Sequence, residues 1–345
     1  MKTTRYSDAG VDIAAANEAK KLISSAVNST HGPSVLGGIG GFGGLFSTEG
    51  FPPDAVLVSS VDGVGTKLKL AFLLNRHGSV GIDLVNHCVN DILVQGARSI
   101  FFMDYLATGR LNPDTVGEIV SGMAAACRAA GCALLGGETA EMPGFYAEGE
   151  YDLAGTIVGV VGRNDLITGK TIGDGDVIIG LGSSGLHTNG YSLARKVLLE
   201  DGRLSLHEVH PDLGRDLGTE LLEPHRCYAA SVLPILGGFD IRGMVHITGG
   251  GFAGNIPRVV PGNLTAVMVK GSWPVHPVFA LIAGMGNVPD DEMYRTFNMG
   301  LGLLLIVPPG DADGVSKALA GAGEQVYRAG SIIRRKSEDP PVIFD

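Results

Sequence analysis

Apolar and polar positions follow one another along the chain in a pattern that predicts a series of strands and helices. Four short apolar runs bounded by turn residues predict strands, at 54–62, 99–107, 132–137 and 152–162. Apolar residues at helical spacing predict two helices that end at or near glycine, at 81–97 and 114–131. Strands that alternate with helices in this way are typical of an α/β domain.

A similar pattern restarts after a polar segment at 163–176, which is punctuated by glycine and reads as a linker. Beyond the linker, apolar runs predict strands at 176–182, 243–248 and 264–269, and helical spacing predicts helices at 189–201 and 311–322. We therefore predict two domains of α/β (α+β) type, comprising residues 1–165 and 166–345.

Composition narrows the class of protein. The 345 residues are 45% hydrophobic, which argues against disorder, and the formal net charge of −10 argues against a nucleic-acid or anionic-membrane partner. The four cysteines include no C-x-x-C pair, so neither a zinc site nor a redox motif is indicated. The first residues lack an apolar stretch. We expect a cytoplasmic protein with reduced thiols.

Carboxylates stand at or near the ends of predicted elements in three separate segments. Asp62 ends the first strand, Asn90 and Asp91 lie on the first helix, and Glu138 follows a later strand. Scattered oxygen ligands of this kind suit Mg²⁺, which keeps some of its waters and bridges substrate phosphates. For any single residue a helix cap or a solvated turn is the more frequent explanation.

Histidines offer two further candidates. His87 shares a helical face with Asp83 and Asp91, but nothing downstream completes a transition-metal set, so we interpret it as structural. His187 lies in a Gly/Ser loop between a predicted strand and helix, where an imidazole can contact phosphate or transfer a proton.

Two glycine-rich turns match G-x-G-x-x-G, at 38–43 and at 249–254, and glycine is frequent enough (53 residues) to make such matches common. We interpret 36–46 as either a mobile flap, with Phe42 and Phe46 able to cover a ligand, or a plain surface loop. The second turn joins a strand to a helix, and from spacing alone it is equally well a tight turn or an anion-binding helix start.

Taken together and in order, the longer motifs resemble one known family. They read DAGVDI, GGFGGLF, DGVGTK, CVND, GGETAEMPG, GSSGLHTNGYSL, HITGGGF and TFNMGLG. This series closely resembles aminoimidazole ribonucleotide synthetase, the phosphoribosylformylglycinamidine cyclo-ligase family, from about Tyr6 to Arg335. The resemblance implies a two-domain fold whose N-terminal sheets pair across a homodimer.

It also implies an activity, in which ATP activates the formyl oxygen of formylglycinamidine ribonucleotide and the ring closes to 5-aminoimidazole ribonucleotide with release of ADP and phosphate. The family uses Mg²⁺ and often K⁺. Carried over to this chain, the family pattern implies metal ligands at Asp62, Asn90, Asp91 and Glu138, and catalytic roles for Lys67, Asp91 and His187. It implies phosphate contacts at Asp62, Gly63, Gly65, Thr66, Lys67, Asn189, Gly249, Gly250 and Gly251.

Some positions depart from the family pattern, namely His87, His225, Cys227 and Gly254, but none of them is a residue assigned to chemistry. Two alternatives remain open. One is an ATP-dependent relative with the same fold and another substrate. The absence of any cysteine before Cys88 argues against selenophosphate synthetase within that group. The other is a non-catalytic ligand-binding relative, against which the retained carboxylates argue.

Overall fold

The computed structural model describes residues 13–38 and 40–345, so all but the last residue of the DAGVDI motif lies outside the described residues. The chain divides into two compact units. The first contains the described residues up to Ile92 together with Ser99–Gly162, and the second contains Leu93–Arg98 and Arg163–Asp345. The domain boundary expected after residue 165 stays a prediction, and the short excursion of 93–98 into the second unit was not expected.

The first unit is built on a four-stranded sheet of order β1-β4-β2-β3. Its strands are β1 (Ala55–Gly63), β2 (Arg98–Thr108), β3 (Ala133–Glu141) and β4 (Tyr151–Gly162). Its helices are α1 (Ile13–Asn28), α2 (Leu68–Leu74), α3 (Gly78–Leu93) and α4 (Pro113–Ala129). β1 and β4 are antiparallel, whereas β2 and β3 are parallel. α4 begins with Pro113 after Asn112, whose side chain accepts hydrogen bonds from the N–H groups of Asp114 and Thr115.

The second unit is built on a six-stranded sheet of order β12-β9-β11-β5-β10-β8. Its strands are β5 (Val177–Gly182), β8 (Gly243–His246), β9 (Leu264–Met268), β10 (Leu301–Val307), β11 (Val326–Arg334) and β12 (Val342–Phe344), and β6 (Val209–His210) pairs with β7 (Arg215–Asp216) apart from it. Its helices are α5 (Tyr191–Arg195), α6 (Leu217–Leu221), α7 (Ala229–Val232), α8 (Gly251–Asn255), α9 (Pro277–Gly286), α10 (Asp290–Thr296) and α11 (Ala312–Gly321).

Pairing in the six-stranded sheet is antiparallel except between β9 and β12. Its interior strand β10, between β5 and β8, is buried along its whole length, which explains the apolar run at 301–307. The predicted mixture of strands and helices is therefore confirmed, in its α+β form. Among residues 13–38 and 40–345, no helix is both long enough and apolar enough to cross a membrane.

Candidate functional site

In the first unit, the end of β1 meets the face of α3 through an ion pair between Asp62 and His87. His87 Nε2 lies 2.7 Å from Asp62 Oδ2, and the Gly63 N–H donates to Asp62 Oδ1 at 2.7 Å. Burial of the His87 imidazole lowers its pKa, but the hydrogen bond to Asp62 and the nearby carboxylate charges outweigh burial and raise it above the ordinary value. Burial raises the pKa of Asp62, but the bonds and charge from His87 and the Gly63 N–H lower it overall.

Lys67 forms a second ion pair with α3. Its Nζ lies 2.8 Å from Asp83 Oδ2 and donates to Asp83 Oδ1 at 2.9 Å, and both side chains are fully buried. Burying two charges is tolerable only when each compensates the other, so this pair has a structural role. The phosphate contact expected of Lys67 stays a prediction, and the buried position of its ammonium group does not support it.

Asp91 lies one turn beyond His87 on α3 and accepts a hydrogen bond from Ser60 Oγ at 2.9 Å. The charge balance around this helix is uneven, because three carboxylates (Asp62, Asp83 and Asp91) face two basic side chains (Lys67 and His87). The cluster therefore keeps a net negative charge even when His87 is protonated. Carboxylate oxygens with a surplus of negative charge fit a hard cation such as Mg²⁺.

The other two predicted metal ligands, Asn90 and Glu138, are placed less favourably than Asp62 and Asp91. Asn90 is fully buried on α3, which does not favour contact with a ligand from outside. Glu138 is exposed on β3, and the sheet order places β3 and β1 at opposite edges. Three inter-strand spacings amount to roughly 14 Å, so this chain does not bring Glu138 to Asp62. Both assignments stay predictions.

In the second unit, the glycine turn after β8 is a compact, internally bonded structure. Gly250 and Gly251 have φ angles of 93° and 55°, and α8 begins at Gly251. The buried side chain of Asn255 donates through Nδ2 to the carbonyls of Gly251 (2.8 Å), Thr248 (3.2 Å) and Gly249 (3.3 Å). Sequence reasoning assigned no role to Asn255, although it stands in the motif that supplied the glycines.

Gly251 explains why the turn needs glycine. A Cβ at this position would lie 2.1 Å from the carbonyl oxygen of Tyr294, a backbone atom, and its φ is one that other residues rarely adopt. The turn is therefore fixed by close backbone packing as well as by Asn255.

Asn189 lies beside this turn. A Cβ on Gly249 would be 3.2 Å from Asn189 Oδ1. Asn189 Nδ2 is buried and makes no hydrogen bond within the part of the chain that the structure describes. A buried amide donor without an acceptor is costly, and such groups are often explained by a ligand or ion.

His187 lies in the loop between β5 and α5 with a φ of 62°, a left-handed conformation that is uncommon for a non-glycine residue. Its Nε2 accepts a hydrogen bond from the Ser184 N–H at 3.1 Å. The ring packs against β10, because a Cβ on Gly302 would lie 2.5 Å from His187 Cε1. His187 thus combines a strained backbone with a buried ring, a pattern found at functional sites.

The glycine-rich loop at 36–46 is described except for Ile39. It is pinned at its base, where the Leu36 N–H donates to the Leu45 carbonyl at 2.9 Å. Phe46 packs on Phe101 of β2, with ring centroids 5.6 Å apart, whereas Phe42 is fully exposed. Of the two phenylalanines, Phe42 alone is available to cover a ligand, and the flap stays a prediction.

Two family models cover most of the chain. Residues 46–161 match the model described as AIR synthase related protein, N-terminal domain, and residues 173–342 match the corresponding C-terminal domain. A relative from Brevibacillus brevis, named phosphoribosylformylglycinamidine cyclo-ligase, is 52% identical over 328 residues, covering 95% of this chain and 95% of the relative. This chain belongs to the phosphoribosylformylglycinamidine cyclo-ligase family. The resemblance drawn from the motifs is thereby confirmed.

Solved structures with lower identity share the fold of this cyclo-ligase family member. Thiamine-monophosphate kinase from Stenotrophomonas maltophilia K279a superimposes with a TM-score of 0.71 at 19% identity, over 95% of this chain and 96% of that chain. A hydrogenase maturation protein solved in complex with ATP superimposes with a TM-score of 0.69 at 18% identity, over 94% and 90% of the two chains. At such identities the likeness concerns architecture alone.

Proposed function

We propose that this chain catalyses the ATP-dependent ring closure of formylglycinamidine ribonucleotide to 5-aminoimidazole ribonucleotide, releasing ADP and phosphate, as a step of purine biosynthesis. The observation that carries this proposal is the 52% identity to a named cyclo-ligase along almost the whole of both chains. A non-catalytic relative would be expected to have lost residues at the motif positions. Asp62, Asp91 and His187 are all present in this chain.

The proposed ring closure requires activation of a poor leaving group. An amide-type oxygen leaves readily only after it has been converted to a phosphate ester, and bound ATP with Mg²⁺ supplies the phosphoryl group and the neutralising charge. Positioning and charge then account for most of the catalysis, so no covalent nucleophile is required of the protein.

Asp62 and Asp91 would hold Mg²⁺ in the first unit. Support comes from their oxygen donor atoms, the net negative charge around α3, and the rigid placement of Asp62 by His87 and the Gly63 N–H. The turn residues Gly63, Gly65 and Thr66 continue directly from Asp62 and would lie along the phosphates of ATP. Asn90 and Glu138 are not part of this proposal, because one is buried and the other lies at the far edge of the sheet.

In the second unit, Gly249, Gly250 and Gly251 with Asn189 would receive a phosphate group. The support is the buried Nδ2 of Asn189 beside Gly249, a donor for which a phosphate oxygen is a suitable acceptor. His187 would assist by donating or accepting a proton near the reacting oxygen, supported by its strained and fixed conformation.

We also propose a homodimer formed through the sheet of the first unit. Leu57 and Val61 of β1 are 62% and 67% exposed, and Met103 and Tyr105 of β2 are also exposed. Large apolar side chains in such number on one small sheet are typical of an interface. The four free thiols support the expected cytoplasmic location.

Replacing Leu57 by Glu tests the dimer. The variant should sediment as a monomer at concentrations where the unmodified chain sediments as a dimer, because a carboxylate would be buried without a partner. Leu73→Glu is the matched control, since Leu73 is 61% exposed on α2 of the same unit. A dimer that survives Leu57→Glu, or one lost equally in Leu73→Glu, would contradict the proposed surface.

Phosphate release from Mg-ATP, with and without formylglycinamidine ribonucleotide, tests the reaction when the aromatic amine product is measured in parallel. Phosphate and amine should appear one for one and only with that substrate. ATP hydrolysis without amine would indicate an ATP-dependent relative with another substrate. A folded protein with no turnover would indicate a ligand-binding relative.

A further inference from the structure

Three buried histidines from separate segments of the second unit form one group, which we call the histidine cluster: His187, His225 and His246. His187 lies before α5, His225 lies between α6 and α7, and His246 ends β8. Nε2 of His225 is 3.0 Å from Nε2 of His246, and the rings of His187 and His225 stack with centroids 4.0 Å apart. One nitrogen of each imidazole lies within 4.8 Å of the other two.

Contacts that do not involve the imidazoles hold the three segments together. Ser184 Oγ donates to the Pro224 carbonyl at 2.6 Å, and Tyr228 Oη donates to the Gly182 carbonyl at 2.9 Å. His246 is fixed by the pairing of β8 with β10. The backbone therefore places the histidines near one another before any ligand arrives, which lowers the entropic cost of binding one.

The contact between His225 and His246 has a chemical consequence. Two imidazole nitrogens 3.0 Å apart share one proton, since one must donate and the other accept. Bonds of 2.0–2.1 Å from Zn²⁺ to two imidazole nitrogens in a tetrahedral site put those nitrogens about 3.3 Å apart. A zinc ion can thus replace the shared proton once the two rings turn so that both nitrogen lone pairs point at the metal, while the nitrogens move apart by only a few tenths of an ångström.

His187 would supply the third nitrogen by turning its ring out of the stack and giving up the Ser184 N–H, now 3.1 Å from its Nε2. A single neutral hydrogen bond is a small loss beside three metal–nitrogen bonds, so the exchange favours the metal.

We propose that His187, His225 and His246 form a binding site for a divalent transition-metal ion of the zinc class. Nitrogen donors favour Zn²⁺, Ni²⁺ or Cu²⁺ over Mg²⁺, which prefers oxygen, so this site differs in chemistry from the carboxylates of the first unit. All three residues belong to the second unit, and the site shares His187 with the proposed reaction.

Zinc titration of the metal-stripped, full-length chain in competition with a chromophoric chelator tests the site. The unmodified chain should bind one more Zn²⁺ tightly than His225→Thr or His246→Gln, and each variant should weaken that binding by roughly 100-fold or more. His207→Gln is the matched control, because His207 is an exposed histidine of the same unit and should bind as the unmodified chain does. Equal zinc binding by the unmodified chain and both cluster variants, or equal loss in His207→Gln, would overturn the proposal.

A second measurement needs no variant and so does not depend on how the variants fold. X-ray absorption of the unmodified chain loaded with one equivalent of Zn²⁺ should show three imidazole nitrogens at about 2.0–2.1 Å. A first shell made mainly of oxygen would refute the site even if the titrations agreed with it.

Discussion

The candidate residues of the two units differ in charge and in the contacts that hold them in place. Around α3 of the first unit the groups are charged and paired, as in Lys67–Asp83 and Asp62–His87. Around α8 of the second unit the groups are neutral, and the turn is held by backbone carbonyls and the amide of Asn255. The candidate residues around α3 therefore depend on charge balance, whereas the glycine turn before α8 depends on backbone shape.

This difference predicts that the units respond to different kinds of change. Removing one charge from the first unit leaves an opposite charge uncompensated, which is costly at low dielectric. Adding a Cβ atom to a glycine of the turn before α8 creates a clash with neighbouring backbone, which is too closely packed to move away.

Lys67→Met should lower the free energy of unfolding by about 3–5 kcal/mol, because Asp83 would remain buried without its counter-ion. Urea unfolding measures the loss. The double variant Lys67→Met/Asp83→Leu removes both charges and should recover most of the stability. A loss below about 1 kcal/mol in the single variant would contradict the structural role of the pair. The double variant also separates stability from catalysis, since low turnover in a stable double variant would restore the expected role of Lys67.

Gly251→Ala should cost the second unit about 3 kcal/mol, because the new Cβ meets the Tyr294 carbonyl oxygen at 2.1 Å and the φ of 55° is unfavourable for alanine. Gly254→Ala, at a position of α8 where a new Cβ would make no close contact, is the control. Its nearest neighbour is the Gly249 carbonyl oxygen at 3.9 Å. Urea unfolding should show Gly254→Ala at or above the stability of the unmodified chain. Similar losses in both variants would mean that close packing does not fix the turn.

Asp91→Asn should reduce turnover by about 100-fold or more while leaving the unfolding midpoint nearly unchanged. The amide keeps an acceptor for Ser60 Oγ but removes the charge that a metal needs. Turnover is measured as matched release of phosphate and amine, and far-ultraviolet circular dichroism reports the fold. Activity equal to that of the unmodified chain would exclude Asp91 from the proposed metal site.

Much of the fold was predictable because strands such as β1, β4 and β10 are rich in apolar and β-branched residues and have glycine near their ends. Elements that lack such a signal were missed. α9 is apolar on all sides and has no helical period to detect, whereas α10 spans less than two full turns, from Asp290 to Thr296. β12 follows two prolines and exists because it pairs with β9, a contact invisible to local patterns.

The candidate site was likewise predictable only where its residues are close together in the sequence, and not where it depends on contacts between distant segments. The glycines after β8 and the placement of Asp62 at a strand end follow from local sequence. The strand order β1-β4-β2-β3 does not follow from chain order, so the separation of Glu138 from Asp62 was not foreseeable. The pairing of Lys67 with Asp83 likewise depends on how α3 packs beneath the turn after β1.

Asp104 of β2 sharpens the comparison, because it is a carboxylate of the first unit that forms no ion pair with any of the described residues. Burial raises its pKa to about 7, whereas an unfolded Asp titrates near 3.9. The folded chain therefore holds one more proton than the unfolded chain between about pH 4 and 7. This bound proton stabilises the folded chain, and the stabilisation is lost as pH rises through 7.

Asp104→Asn has no such proton, so its free energy of unfolding relative to that of the unmodified chain should rise by about 1–2 kcal/mol from pH 5 to pH 8, a value reduced for partial exposure. Urea unfolding of both chains at the two pH values measures the change, and Asp114→Asn, at an exposed aspartate, should show none. A difference between Asp104→Asn and the unmodified chain that is the same at both pH values would mean that Asp104 is ionised throughout, and the first unit would then tolerate a buried charge that no cation balances.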